Sequence, residues 1–130
     1  MKTTTLILAA MTLWTGLAAA ESSFTGTWKG TRNGLPAVTL IVRDSAGTIS
    51  GTIEFFLQVR DSESSPWHVD AGDTEVLLSP VVHNKVLSFE VRHHVCHNCT
   101  EYGPNVPVKV ELQPDGTAKL GDIVLRHEQR

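Results

Sequence analysis

The chain has 130 residues, with 11 Lys and Arg against 14 Asp and Glu and a formal net charge of −3. So mild an acidic balance offers no basic face to a polyanion, which argues against a nucleic-acid partner. Hydrophobic residues make up 41% of the chain, enough for a globular core and too much for a disordered one.

The first twenty residues read as a secretory signal peptide. Lys2 precedes an apolar run from Leu6 to Leu17, and Ala18-Ala19-Ala20 supplies a small-residue cleavage site. The run is short for a bilayer span, and no second apolar run near 20 residues follows. Cleavage near Ala20-Glu21 is therefore expected, then one exported domain over 21–130, secreted or periplasmic. The remaining length, about 110 residues, suits one small core.

From there the dominant period is two, the mark of half-buried strands. Phe24, Gly26, Trp28 and Gly30 share one face of the first strand, near 23–32. Asn33-Gly34 is a strong hairpin signal, because both residues tolerate positive φ. Val38, Leu40 and Val42 alternate over 36–43, and Asp44 to Gly47 fits a short connection. Ile49, Ile53, Phe55, Leu57 and Val59 share a face over 48–59. Asp61 to Ser65 is polar and reads as a loop. A weak strand follows at 67–70 and another at 75–82, then His83-Asn84-Lys85 as a turn. Leu87, Phe89 and Val91 alternate over 86–95, and Val106, Val108, Val110 and Leu112 over 105–113. Pro114-Asp115-Gly116 turns the chain into a last strand at 117–126.

Short links between about eight strands imply an antiparallel meander. Its apolar face must close on itself or pack on another sheet. The fold class expected is all-β: an up-and-down barrel of about eight strands, which removes exposed edges. A small β-sandwich is the alternative. Bulky inward residues in so short a chain predict a filled or mostly filled interior.

Phe24-Thr25-Gly26-Thr27-Trp28 and Ile49-Ser50-Gly51-Thr52 resemble, at similar spacing, phrases of the avidin and lipocalin branch of the calycin β-barrels. In calycins the first-strand Trp packs across the barrel end against a basic residue on the last strand. The resemblance therefore implies a Trp28–Arg126 pair, and an arginine can stack on an indole. It does not carry biotin binding with it. The positions that would hold the biotin head are Gly30, Gly34, Ile53 and Phe55, all glycine or hydrocarbon. A buried ureido group there would lose hydrogen bonds of about 1 kcal/mol each, so tight biotin binding is not expected.

The stretch His93-His94-Val95-Cys96-His97-Asn98-Cys99 holds both cysteines and three of the six histidines. Three readings of it compete. In an oxidising compartment two cysteines form one disulfide, a Cys96–Cys99 clip. Reduced, Cys96 and Cys99 with His94 or His97 offer soft ligands for zinc or copper. A CxxC pair enclosing a histidine also suits thiol–disulfide exchange, although no helix follows it. Strand parity points His93 towards the core or mouth and His94 outward. His68, His83 and His127 are scattered and expected to face solvent. Asn98-Cys99-Thr100 matches a glycosylation sequon.

No Gly-x-Ser-x-Gly, phosphate loop or His-Glu-x-x-His occurs. Asp and Glu fall on outward positions, with no inward pair for acid–base work. The chain is therefore expected not to be an enzyme and to need no cofactor. The role expected is non-catalytic binding of a small apolar ligand or a protein partner, with Trp28, Phe55, Phe89 and His93 at the barrel interior or mouth. Metal or thiol-redox work by the cysteine loop is the alternative.

Overall fold

The computed structural model describes residues 23–96 and 100–129. The signal-peptide segment and His97, Asn98 and Cys99 lie outside the described residues. The described chain is all-β, and no helix in it is long and apolar enough to cross a membrane.

Nine strands follow one another: β1 (Gly26–Arg32), β2 (Leu35–Ser45), β3 (Thr48–Val59), β4 (His68–Val76), β5 (Leu78–His83), β6 (Val86–His94), β7 (Tyr102–Leu112), β8 (Ala118–Leu120) and β9 (Ile123–His127). They form one antiparallel sheet in the order β4-β3-β2-β1-β9-β8-β7-β6-β5. The first strand pairs with the last, Trp28 opposite His127.

No ladder joins β4 to β5, so hydrogen bonds do not close the sheet into a ring. Counting alternations along the order, however, β4 and β5 run in the same direction. Only Leu77 separates them. They are two halves of one run of chain. The first half bonds to β3, and the second half bonds to β6. At the changeover Leu77 is 4% exposed, and its N–H donates to the Gly51 carbonyl at 3.0 Å. Counting that run once leaves eight strands, the number expected but not the same eight, because the expected strands at 67–70 and 75–82 belong to this one run. The last expected strand is itself two, because Gly121 (φ 58) turns β8 into β9.

Turn chemistry follows the residues. Asn33 and Gly34 have φ of 56° and 73°, as a tight hairpin with right-handed strand twist requires. The Asp115 carboxylate accepts hydrogen bonds from the Thr117 N–H and hydroxyl at 2.9 and 2.6 Å. These hold its carboxyl below the usual range, with the hydroxyl bond the largest cause.

The alternating apolar residues make the core. Phe24, Trp28, Leu40, Ile53, Leu87 and Leu125 are all at most 2% exposed. Burial of each contributes roughly 1.5–3 kcal/mol. The packing is densest towards the end where β1 starts. Leu57 and Val106, read as interior from their parity, are 52% and 40% exposed. Their strands run on past the packed core to an open mouth.

At the closed end the expected Trp28–Arg126 pair is not formed. Trp28 lies opposite His127 in the β1–β9 ladder, and Arg126 lies opposite Lys29 on the outer face, exposed. The imidazole of His127 meets the indole edge-on, with ring centroids 4.8 Å apart. His127 thus does not face solvent freely: it is half-buried, with Nε2 3.0 Å from the Thr25 carbonyl. Gly26 makes this possible. Its φ is 123°, and a Cβ there would overlap the His127 ring. The Trp28 Nε1–H donates to the Phe24 carbonyl at 2.8 Å, so the buried indole is satisfied.

Candidate functional site

The open end holds two cavities divided by Phe55. The larger, about 560 Å³, lies between β3–β4 on one side and β6–β8 on the other. Phe55, Val91, Val106, Val108 and Leu120 give it apolar walls. The smaller, about 410 Å³, lies against β1 and β2 and reaches Val38, Leu57 and Trp67. Small-molecule sites typically occupy cavities of this size, with apolar walls and a few placed polar groups.

The polar groups come from the seam that the backbone leaves open. β5 bonds to β6 only as far as Glu90, so the upper parts of β4 and β6 have no ladder between them. Side chains cross the gap instead. His94 Nε2 on β6 lies 3.1 Å from Glu75 Oε1 on β4. Glu75 is 12% exposed at its side chain, and His94 is 35% exposed. Asp73 completes a group of three, with one donor atom from each residue within 4.8 Å of the other two.

Asp73 and Glu75 sit opposite Phe55 and Ile53 in the β3–β4 ladder and share their inward face. The expectation of no inward pair of acids is therefore corrected. The sequence reading broke the chain between 70 and 75, where β4 in fact runs on. Its inward residues Ala71, Asp73 and Glu75 lack the apolar alternation that marks a core strand. They face the mouth, where water is present to solvate them.

Of the two adjacent histidines, His94 does not point outward as expected. His93 is exposed and lies opposite Gly103, while His94 turns to Glu75 and packs its ring 4.7 Å from that of Tyr102. The β6–β7 ladder slips between Val91 and His93, so a strict two-residue period ends there. Both histidines line the larger cavity. Arg92 lines it too, with its guanidinium over the Tyr102 ring at 5.3 Å, as does Lys109 on β7.

Of the ligand-contact residues expected, Phe55 and His93 line the mouth, but Trp28 and Phe89 do not. Trp28 plugs the opposite end, and Phe89 is 3% exposed within the core. The interior is thus filled below and open above. The cysteine loop leaves β6 beside the mouth, its neck closed by the Val95 N–H to the Glu101 carbonyl at 3.2 Å. Among the described residues no cysteine is free. Of the ligand set expected from Cys96, Cys99, His94 and His97, Cys99 and His97 lie outside the described residues, and His94 faces Glu75.

Comparison with protein-family models, with curated proteins and with solved structures finds no match to this chain.

Proposed function

We propose that this is an exported, non-catalytic binding protein of calycin-like design. Its ligand is a small molecule with an apolar body and a polar head. The carrying observation is the cavity of about 560 Å³, apolar at Phe55, Val91 and Val108 and edged by Asp73, Glu75 and His94. Burying an apolar body there gains roughly 25 cal/mol for each Å² removed from water. The Glu75–His94 contact at the edge selects for a head that hydrogen-bonds. The open seam gives such a ligand a way in. Two cysteines in a chain with a signal-like leader fit an oxidising compartment, where a Cys96–Cys99 disulfide would clip the loop beside the mouth.

The test is displacement of a fluorescent apolar probe, 1-anilinonaphthalene-8-sulfonate, with native mass spectrometry for a co-purified lipid. Val108→Trp should narrow the cavity and weaken probe binding while the protein stays folded. Probe binding unaltered by Val108→Trp, or absent from the wild type, rejects the reading.

A protein partner is the second reading. Leu57, Trp67 and Val69 are 52%, 37% and 36% exposed along neighbouring parts of β3 and β4. Such clustering favours a contact surface. Sedimentation of the protein alone and of Leu57→Ser separates self-association from small-ligand binding.

A further inference from the structure

We infer that Asp73, Glu75 and His94 form a site for one divalent transition-metal ion, zinc being the best fitted, set in the seam between β4 and β6. Zinc takes imidazole nitrogen and carboxylate oxygen as ligands, and its open sites use three protein ligands. Three protein ligands leave a fourth position, and this one opens into the larger cavity.

The geometry supports binding by small movements alone. A tetrahedral ion with bonds near 2.1 Å needs its donor atoms roughly 3.4 Å apart. His94 Nε2 and Glu75 Oε1 are already 3.1 Å apart, and all three donors fall within 4.8 Å. Asp73 is exposed at the mouth, so its carboxylate has room to rotate inward. The backbone fixes the rest. Asp73 and Glu75 are two apart on one strand and so share a face. His94 is held from behind by the Tyr102 ring.

Charge supports a cation as well. Two carboxylates share this corner with a single imidazole. Arg92, His93 and Lys109 also line the cavity, Arg92 with its guanidinium on the Tyr102 ring and Lys109 on β7, beyond β6 from the acids. A cation bridging β4 and β6 would also stitch the stretch of sheet that lacks a ladder. Its binding should therefore stabilise the fold.

This site shares no atom with the cysteine loop and does not depend on an apolar ligand occupying the cavity. Its test uses zinc chloride titrated into chelator-stripped protein, followed by calorimetry and thermal melting. One equivalent is expected to bind and to raise the Tm. Glu75→Gln and His94→Gln are each expected to weaken binding by at least about tenfold, a size seen even for lost supporting groups. Neither variant should show the zinc-induced rise in Tm, and His83→Gln, exposed on β5, should behave as wild type. Cobalt(II) substitution supplies a second readout, a tetrahedral visible spectrum that Glu75→Gln removes. The inference is overturned if wild type takes up no zinc below millimolar concentration. It is equally overturned if binding survives in Glu75→Gln and His94→Gln, or is lost in His83→Gln. Probe binding at the cavity of the wild type, weakened in Val108→Trp, would keep the binding role standing if the metal site fails.

Discussion

His127 closes the end of the molecule over Trp28, edge to face, with centroids 4.8 Å apart. The first-strand Trp meets the last strand at His127, one position later than the arginine expected from sequence. The contact predicts a pair of unequal variants. His127→Ala uncovers the indole and removes an aromatic contact worth about 0.5–1.5 kcal/mol beyond its area. Arg126→Ala, on the exposed outer face, should cost within about 0.5 kcal/mol. Urea unfolding compares the two. Trp28 emission in a Trp67→Phe background should shift to the red only in His127→Ala. Equal losses would restore the arginine as the partner.

Gly51 predicts a cost of crowding. It lies opposite Val42, and a Cβ there would overlap the Ile41 carbonyl and crowd Leu77 at 3.2 Å. That is the point where the chain passes from β3 to β6. Gly51→Ala should therefore destabilise by several kcal/mol, as forced backbone displacement in a packed core does. Gly34→Ala is the control. Nothing lies within 4 Å of its Cβ position, so only the positive φ of 73° opposes it, at about 1 kcal/mol. Chemical denaturation of both variants checks the ordering. A milder Gly51→Ala would show that β2 gives way.

The parts that sequence reasoning read well share one property: they lie where a strand has dry core on one side and water on the other. Leu40 and Ile53 alternate with polar neighbours because both conditions hold, and they are fully buried. The tight turn at Asn33-Gly34 was legible for a local reason, since its dihedrals need those residues. β4 was not legible. Its inner face carries Asp73 and Glu75, because it borders an open mouth and not hydrocarbon. The pairing of Glu75 with His94 joins residues of separate strands across a seam without a ladder, so no spacing along the chain announces it. A run of acids at i and i+2 opposite an apolar strand was the one available signal.

Asp115 predicts how stability responds to acid. Its carboxyl is held below the usual carboxylate range, first by the Thr117 hydroxyl and then by the Thr117 backbone N–H. A lowered folded-state pKa contributes stability that is complete above the unfolded value and is lost as pH falls through the folded one. Thr117→Val removes the hydroxyl bond and keeps the N–H. The Tm gap between wild type and Thr117→Val should therefore be flat from neutral pH down to about pH 5 and narrow below the ordinary carboxyl value. Melts from pH 7 to pH 2 measure it. A gap that widens in acid would reverse the assignment.

Phe55 divides the two cavities, and removing its ring should join them. The side chain is half-buried and lines both the 560 Å³ and the 410 Å³ spaces. Truncating a fully buried Phe costs about 3–5 kcal/mol, so this half-exposed ring should cost less. The expected loss for Phe55→Ala is about 1–3 kcal/mol. Water already reaches both spaces, so the variant leaves a wider mouth and not a sealed void. The binding reading then makes a directional demand. Bulky apolar probes should gain affinity relative to small ones, because the new space accepts a longer body. Val108→Trp, which narrows the larger cavity from β7, should move the preference the other way. Competition between two probes of different length against both variants decides it. If the probes keep their wild-type order in Phe55→Ala, Phe55 does not separate two parts of one binding space.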